Sequence, residues 1–213
     1  MILSMSAAHL DASDEAALYL AAPPHTREQV LMRPCPVPAS AGVYGWWFRK
    51  LPADIETSRC ATKGGLTLLY TGISPSKPPT NGKPPSTQNI RKRINTHCTG
   101  NAAGSTLRLT LGSLVAEEIG IELRRVGSGN RYTFHTGEPA LSQWMAENAL
   151  VSWIARDEPW ELEDQLIATL DLPLNLHGNS RNAFYPHLKA ARADAKRRAS
   201  ELPVLPNPGI GGR

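Results

Sequence analysis

A glutamate on the apolar side of a helix is the residue of this sequence best placed to do chemistry. At about 100° per residue, Leu162, Leu166, Ile167 and Leu170 form one apolar stripe, and Glu163 falls inside it. Removing an unpaired carboxylate from water is costly in free energy. We therefore expect a metal ion, an arginine or strong hydrogen-bond donors beside Glu163, which is the environment of a catalytic carboxylate.

Two other acids on the same helix compete with Glu163 for this role. Glu161 and Asp164 point away from the apolar stripe, toward solvent. Their charges lie near the start of the helix, where they interact favourably with its dipole. Glu163 is therefore the better candidate for a metal ligand.

A second helix carries an arginine and a histidine on one side. Ile90, Ile94 and Cys98 form its apolar face, and Arg93 and His97 lie on the shoulder of that face. The two polar side chains are about 40° apart around the helix, so they project together. Arginine has a planar fork that grips phosphate oxygens, and histidine titrates near neutral pH.

Two predicted strands precede this helix, and each contains a tyrosine. Residues 42–48 and 66–71 are rich in β-branched and aromatic residues, which predicts strands. Tyr44 and Tyr70 in such strands are ordinarily core aromatics, and an asparagine such as Asn175 ordinarily caps a turn. The order in which these residues and the two helices follow one another along the chain favours a functional role instead.

Together these residues resemble the ordered signature of the GIY-YIG nuclease family. His97 follows Arg93 by four residues, and Asn175 follows Glu163 by twelve, inside a family-like frame of Leu-Glu-x-x-Leu-Ile and then Pro-x-Asn. Thr71 replaces the usual aliphatic residue, Ile73 stands where some relatives have a lysine, and the interval between the tyrosines is long. The residues that carry the resemblance are Gly42-Val43-Tyr44, Tyr70-Thr71-Gly72, Arg93, His97, Glu163 and Asn175.

The resemblance implies hydrolysis of phosphodiester bonds with one divalent cation. Glu163 is implied to hold Mg²⁺ or Mn²⁺, because hard cations prefer oxygen ligands. Tyr44 is implied to be the general base, and Arg93 is implied to hold a non-bridging phosphate oxygen. Tyr70 or His97 would orient the water or move a proton. The residues implied to be catalytic are Tyr44, Tyr70, Arg93, His97 and Asn175, the last as the group that holds the active-site loop.

The pattern of elements predicts an α+β fold with a small, largely antiparallel three-stranded central sheet flanked by helices. Residues 1–40 are predicted to be an N-terminal extension and linker, and residues 41–190 a GIY-YIG-like domain. Within that domain, residues 104–148 are predicted to be an inserted helix and β-hairpin. Residues 191–213 are predicted to contain the basic end of the last helix and a disordered tail.

Composition limits the partners and the compartment. The 213 residues include 23 Lys plus Arg and 19 Asp plus Glu, a formal charge of +4 that mildly favours a polyanionic partner. The three widely spaced cysteines form neither a disulfide framework nor a zinc site. No apolar stretch reaches the roughly 18 residues that span a bilayer. We expect a cytoplasmic protein with no membrane partner.

Four basic residues are predicted to contact a nucleic-acid backbone. Lys77 and Lys83 lie on a proline-rich arm, and Arg91 and Lys92 lie next to Arg93. Phosphate contacts of this kind position a protein on nucleic acid without reading its sequence. A solubilising surface charge explains each of the four equally well.

The leading hypothesis is a metal-dependent endonuclease that cuts one strand of DNA per active site, with single-stranded DNA, branched DNA and RNA left open as substrates. The alternative is a catalytically inactive nucleic-acid-binding module on the same scaffold. A third hypothesis is a structural or partner-binding protein that uses its exposed extensions. A carboxylate on an apolar stripe argues against the last two, because an inactive site has no physical reason to keep it.

Overall fold

The computed structural model of the chain describes residues 12–208. The α-helices are α1 (Ala12–Ala21), α2 (Arg27–Leu31), α3 (Ile90–Thr99), α4 (Thr106–Ile119), α5 (Glu138–Asn148), α6 (Pro159–Thr169) and α7 (Tyr185–Glu201). The strands are β1 (Gly42–Phe48), β2 (Thr62–Lys63), β3 (Leu66–Ser74), β4 (Arg124–Val126), β5 (Arg131–Thr133) and β6 (Ala149–Ala155). A short 3-10 turn, His135–Gly137, precedes α5.

The central sheet has the strand order β2-β3-β1-β6, and every pairing in it is antiparallel. The predicted mixture of helices with an antiparallel sheet is confirmed, but the predicted count of three strands is wrong. The additional strand is β2, which Gly64 and Gly65 join to β3 with φ values of 54° and 75°. A two-residue turn of this kind favours a hairpin, because its twist matches that of the flanking strands.

The two faces of the sheet bury different sets of side chains. Every residue of β1 is buried, and the alternation of a strand sends Tyr44, Trp46 and Phe48 to one face and Val43 and Trp47 to the other. Helices α3, α4, α5 and α7 contribute buried residues to the first face, and α1 and α6 contribute to the second. The helices that carry the candidate site residues therefore cover both faces of one sheet.

One edge of β3 is covered by a loop instead of a strand. Strand β2 pairs only with Leu66 and Thr67, so among the described residues, 12–208, the rest of that edge has no strand partner. The loop after α6 takes its place, where the Leu174 amide donates to the Leu69 carbonyl at 2.9 Å. This loop brings Asn175 beside Thr71.

Residues 104–148 contain α4, the β4–β5 hairpin and α5. Their buried side chains belong to the same core cluster as those of β1 and α3. Residues 12–40 are predicted from the sequence to be an extension. They also pack against the sheet, as the fully buried Tyr19 of α1 shows. Both segments therefore help to build the core around the site.

Residues 75–89 form neither helix nor strand, and residues 76–88 are all exposed, as a proline-rich arm requires. Residues 203–208 fall in the tail for which disorder is predicted, and they lie along β4, where the Leu205 amide donates to the Arg125 carbonyl at 2.9 Å. Residues 209–213 of that tail lie outside the described residues. None of the helices in residues 12–208 is long and apolar enough to cross a membrane.

Candidate active site

Tyr44 lies at the centre of the candidate site, with 1% of its surface exposed. It stands opposite Gly72 in the pairing of β1 with β3. A Cβ atom at position 72 would lie 2.6 Å from the Tyr44 hydroxyl oxygen, so only glycine leaves room for the phenol. This close approach is a steric reason for the glycine of Tyr70-Thr71-Gly72.

Three polar side chains surround the Tyr44 hydroxyl. Nε2 of His97 lies 2.9 Å from it, and Arg93 and Tyr70 are close enough to affect its ionisation. Burial raises the pKa of Tyr44 above its ordinary value of 10, and the charge and hydrogen bond of Arg93 oppose this rise, as does a hydrogen bond from Tyr70. Because burial dominates, Tyr44 is a phenol at neutral pH in the protein alone.

The proton on His97 is assigned by counting donors and acceptors. Ser105 Oγ accepts the backbone N–H of Arg108 at 3.1 Å and lies 2.7 Å from Nδ1 of His97. A buried hydroxyl that donates to no acceptor is costly in free energy. Within residues 12–208, the acceptor available to the Ser105 hydroxyl is Nδ1 of His97. We infer that Ser105 donates to Nδ1. The ring proton is then on Nε2, which donates to Tyr44.

His97 is a neutral hydrogen-bond donor in this arrangement. Burial and the nearby charges of Arg93 and Arg108 hold the pKa of His97 well below its ordinary value. Donation from its Nε2–H stabilises a phenolate on Tyr44 more than a phenol. His97 therefore favours ionisation of the tyrosine without taking up a proton itself.

A buried ion pair anchors the helix that holds Ser105. Arg108 of α4 is fully buried and makes two hydrogen bonds to Glu138 Oε2, at 2.6 and 3.0 Å, and another to the His97 carbonyl at 3.2 Å. Sequence patterns alone do not identify Ser105, Arg108 or Glu138 as neighbours of the site. Ser105 caps the N-terminus of α4, and that capping position was the available signal for it.

Arg93 is partly buried and keeps donors free for a ligand. Its Nη1 donates to the Gly104 carbonyl at 3.0 Å. No carboxylate in residues 12–208 forms an ion pair with it, because every ion pair found there involves other cations. An arginine beside a buried phenol, with unused N–H groups, is a suitable phosphate ligand.

Glu163 is partly buried on α6, as its place on the apolar stripe predicts. Burial raises its pKa to about 7, with a smaller contribution from the charge of Asp164. It is close enough to Tyr44 and Tyr70 to raise their pKa values. Within residues 12–208 no side chain or backbone group bonds to its carboxylate. Glu161 and Asp164 are exposed, as expected.

This carboxylate fits a hard divalent cation that keeps most of its water. The described residues contain no group of three or more histidine, cysteine or acidic side chains that could hold a metal ion. Mg²⁺ commonly binds through one or two carboxylates, several waters and a substrate phosphate. A single partly buried and unpaired carboxylate near an arginine that could bind a phosphate is consistent with that mode.

Asn175, predicted as catalytic, contacts the backbone of Thr71 with both ends of its amide. The Thr71 N–H donates to Oδ1 at 2.9 Å, and Nδ2 donates to the Thr71 carbonyl at 2.9 Å. These bonds replace the missing strand partner on the open edge of β3. Asn175 therefore holds Thr71, and with it the neighbouring Tyr70, in place.

Thr71 also has a partner that the sequence does not predict. The Tyr19 hydroxyl donates to Thr71 Oγ1 at 3.1 Å, and Thr71 Oγ1 donates to the Tyr44 carbonyl at 3.3 Å. Thr71 thus gives a buried tyrosine from α1 a hydrogen-bond partner. No sequence pattern near Tyr19 indicates this long-range contact.

The four basic residues predicted to contact nucleic acid lie outside this cluster. Lys77 and Lys83 are exposed on the arm, and Lys92 is exposed on α3. Arg91 is exposed as well, although its Nε donates to the Val37 carbonyl at 2.6 Å. The predicted site residues that the structure brings together are Tyr44, Tyr70, Arg93, His97 and Glu163. Asn175 is linked to this cluster through its bonds to the backbone of Thr71.

Comparison with known proteins agrees with this geometry. The family profile described as the GIY-YIG catalytic domain matches residues 42–194, which contain all of the residues assembled above. Searches of curated proteins and of solved structures gave no match. Members of the family are nucleases that typically use divalent metals, and the domain implies a nucleic-acid substrate. On the strength of a match that spans most of its length, this chain belongs to the GIY-YIG family.

Proposed function

We propose that this protein is a metal-dependent endonuclease that hydrolyses phosphodiester bonds in DNA. The observation that carries the proposal is a buried phenol, Tyr44, whose ionisation is influenced both by an arginine that has no carboxylate partner within residues 12–208, Arg93, and by a partly buried carboxylate that has no hydrogen-bond donor there, Glu163. Hydrolysis needs a proton acceptor for the attacking water and positive charge for the phosphate. The three groups match those needs.

Tyr44 is the general base in this proposal. After losing its own proton to solvent, the Tyr44 phenolate accepts a proton from the water that attacks phosphorus, while the bond from phosphorus to the leaving oxygen breaks and that oxygen takes up a proton from solvent water. His97 donates to Tyr44 through Nε2 and so favours the phenolate. Tyr70 lies beside Tyr44 and orients its hydroxyl group.

Arg93 and Glu163 stabilise the charge that develops on the phosphate. Arg93 holds a non-bridging oxygen with a charge-assisted hydrogen bond, worth about 1.5 to 3 kcal/mol. Glu163 holds the cation, Mg²⁺ or Mn²⁺, which when bound supplies positive charge to the phosphate and the leaving oxygen. Asn175 keeps β3 in register beside these groups without touching the substrate.

The substrate proposal rests on charge and on the exposed arm. The chain has a net charge of +4, and Lys77 and Lys83 are exposed on an arm that forms neither helix nor strand. Such lysines bind phosphates of any sequence and make affinity depend on salt. Lys92 and Arg91, next to Arg93 on α3, extend the same basic surface.

The test is an incubation of purified protein with single-stranded, duplex and branched DNA in Mg²⁺. We expect wild-type protein to nick at least one of these substrates. Tyr44→Phe removes the hydroxyl and keeps the packing, and it is expected to lose at least about a hundredfold in rate. The matched control is Tyr132→Phe, a tyrosine of β5, which should cut at the wild-type rate.

Two results would contradict the proposal. Undiminished cutting by Tyr44→Phe would remove the tyrosine from the reaction. Salt-sensitive DNA binding without cleavage in either Mg²⁺ or Mn²⁺ would instead identify the alternative, a nucleic-acid-binding module on the same scaffold.

A further inference from the structure

A second arginine near the tyrosine pair has no acidic partner. Arg192 of α7 is partly buried, and its hydrogen bond runs from Nη1 to Thr110 Oγ1 at 3.5 Å, the outer limit for such a bond. Within residues 12–208 no carboxylate lies at ion-pair distance from it. Two other arginines with little exposure, Arg108 and Arg156, each bond to a glutamate, at 2.6 and 2.9 Å, and the partly buried Arg125 donates to three backbone carbonyls instead.

This environment is unfavourable for a guanidinium unless an anion binds there. Loss of water lowers the pKa of Arg192 below its ordinary value, and the nearby Tyr70 only partly opposes this change. Arginine nevertheless stays charged at neutral pH. Five N–H donors are thus held at a partly buried position with one weak protein acceptor between them.

The position of Arg192 connects it to the candidate site. Helix α7 packs against α4, the helix that Ser105 caps and that presents Thr110 to Arg192. Arg192 and Arg93 are both close enough to Tyr70 to influence the ionisation of its phenol. Two arginines from different helices therefore lie near one tyrosine.

We infer that Arg192 binds a backbone phosphate of the strand being cut, as a second phosphate ligand beside Arg93. This inference rests on the proposed function for its substrate. The planar fork of arginine matches phosphate oxygens, and a partly dehydrated arginine that lacks a carboxylate gains most from such a bond. The family signature described above does not include this position, because it ends at Asn175.

The competing explanation is a structural one, in which Arg192 only joins α7 to α4 through Thr110. Thr110→Val removes the hydroxyl at nearly constant volume and breaks that link. If the link matters only for folding, Thr110→Val and Arg192→Gln should lower the melting temperature equally and leave DNA affinity unchanged. Melting curves of both variants therefore separate the two roles.

The experiment measures DNA affinity by fluorescence anisotropy at several salt concentrations, in the Glu163→Gln background so that no cutting occurs. Arg192→Gln is expected to weaken binding by about ten- to a hundredfold, the range for one charge-assisted bond. The slope of log affinity against log salt should fall by about 0.7 to 0.9. Arg192→Lys should restore the slope but only part of the affinity. The matched control is Arg197→Ala, an exposed arginine of α7 that pairs with Asp194 and Glu201.

The outcomes separate this inference from the proposed function. Equal affinity and slope for Arg192→Gln and Arg197→Ala, with Arg192→Gln folded, would overturn the inference and leave the nuclease proposal standing. Weaker binding by Arg192→Gln together with no cleavage by the wild type would support the inference and contradict the nuclease proposal. Absence of DNA binding by the Glu163→Gln protein at low salt would overturn both.

Discussion

The carboxylate of Glu163 should make the protein less stable at neutral pH than a variant that lacks the charge. Burial raises its pKa from the ordinary 4.5 to about 7. At about 1.36 kcal/mol for each pKa unit, this difference corresponds to about 3 kcal/mol of folding free energy. Because the folded-state pKa lies above the unfolded-state value, the protein with a protonated Glu163 is more stable than the protein with an ionised one. This additional stability is fully present below about pH 4.5 and is lost as the pH rises through about 7.

The assay is urea unfolding in EDTA at a series of pH values from 4.5 to 8.5. Glu163→Gln keeps the shape of the side chain and cannot ionise. We expect the variant and the wild type to be nearly equal in stability at pH 4.5, and the variant to be more stable by about 3 kcal/mol at pH 8.5. Glu161→Gln, an exposed glutamate of the same helix, should show no such divergence with pH.

A divalent cation should reverse the effect in the wild type only. Saturating Mg²⁺ or Mn²⁺ compensates the buried charge, so it should stabilise the wild type at pH 8.5 and leave Glu163→Gln unchanged. A stability difference between the two proteins that is constant from pH 4.5 to 8.5 would refute the reasoning. Such a result would mean that the carboxylate is fully hydrated in the folded protein.

Three further predictions concern the groups around Tyr44. The cleavage rate should rise about tenfold per pH unit between pH 6 and 9, because burial raises the pKa of Tyr44 and the phenolate is the base; a flat profile would contradict this role. In the wild type, ¹⁵N NMR spectra should show the His97 proton on Nε2, and a proton on Nδ1 would contradict the assigned tautomer. Ser105→Ala, which removes the donor to Nδ1, should slow cleavage about tenfold, and Ser105→Thr should restore the rate. Asn175→Ala should destabilise the fold by about 3 kcal/mol in urea unfolding, because two buried backbone groups of Thr71 lose their partners; a loss below about 0.5 kcal/mol would contradict the edge-covering role.

The part of the site that lies on helices follows from the sequence. Helical periodicity predicts that Glu163 turns toward the core while Glu161 and Asp164 face solvent, and the structure confirms this. The same rule places Arg93 and His97 on one side of α3. These relations depend on geometry within one helix, so the local sequence is sufficient to predict them.

The remaining contacts join residues that are far apart in the chain. Asn175 bonds to Thr71 because β2 is too short to cover the edge of β3, and the length of a two-residue strand cannot be read from propensity. Tyr19 and Arg192 reach the site from helices at the two ends of the described chain. Each contact depends on how whole elements pack, and packing has no local signature.

The most direct test of the central claim is DNA cleavage in Mn²⁺ by wild-type protein, Glu163→Gln and Glu161→Gln, side by side. The central claim is that one inward-facing carboxylate holds the cation beside Tyr44 and Arg93. We predict cleavage by the wild type and by Glu161→Gln, and a loss of at least about a hundredfold for Glu163→Gln. Because Glu163→Gln is expected to be more stable than the metal-free wild type and to be unaffected by the cation, unfolding would not explain its loss of activity. Equal cleavage by all three proteins would contradict the claim.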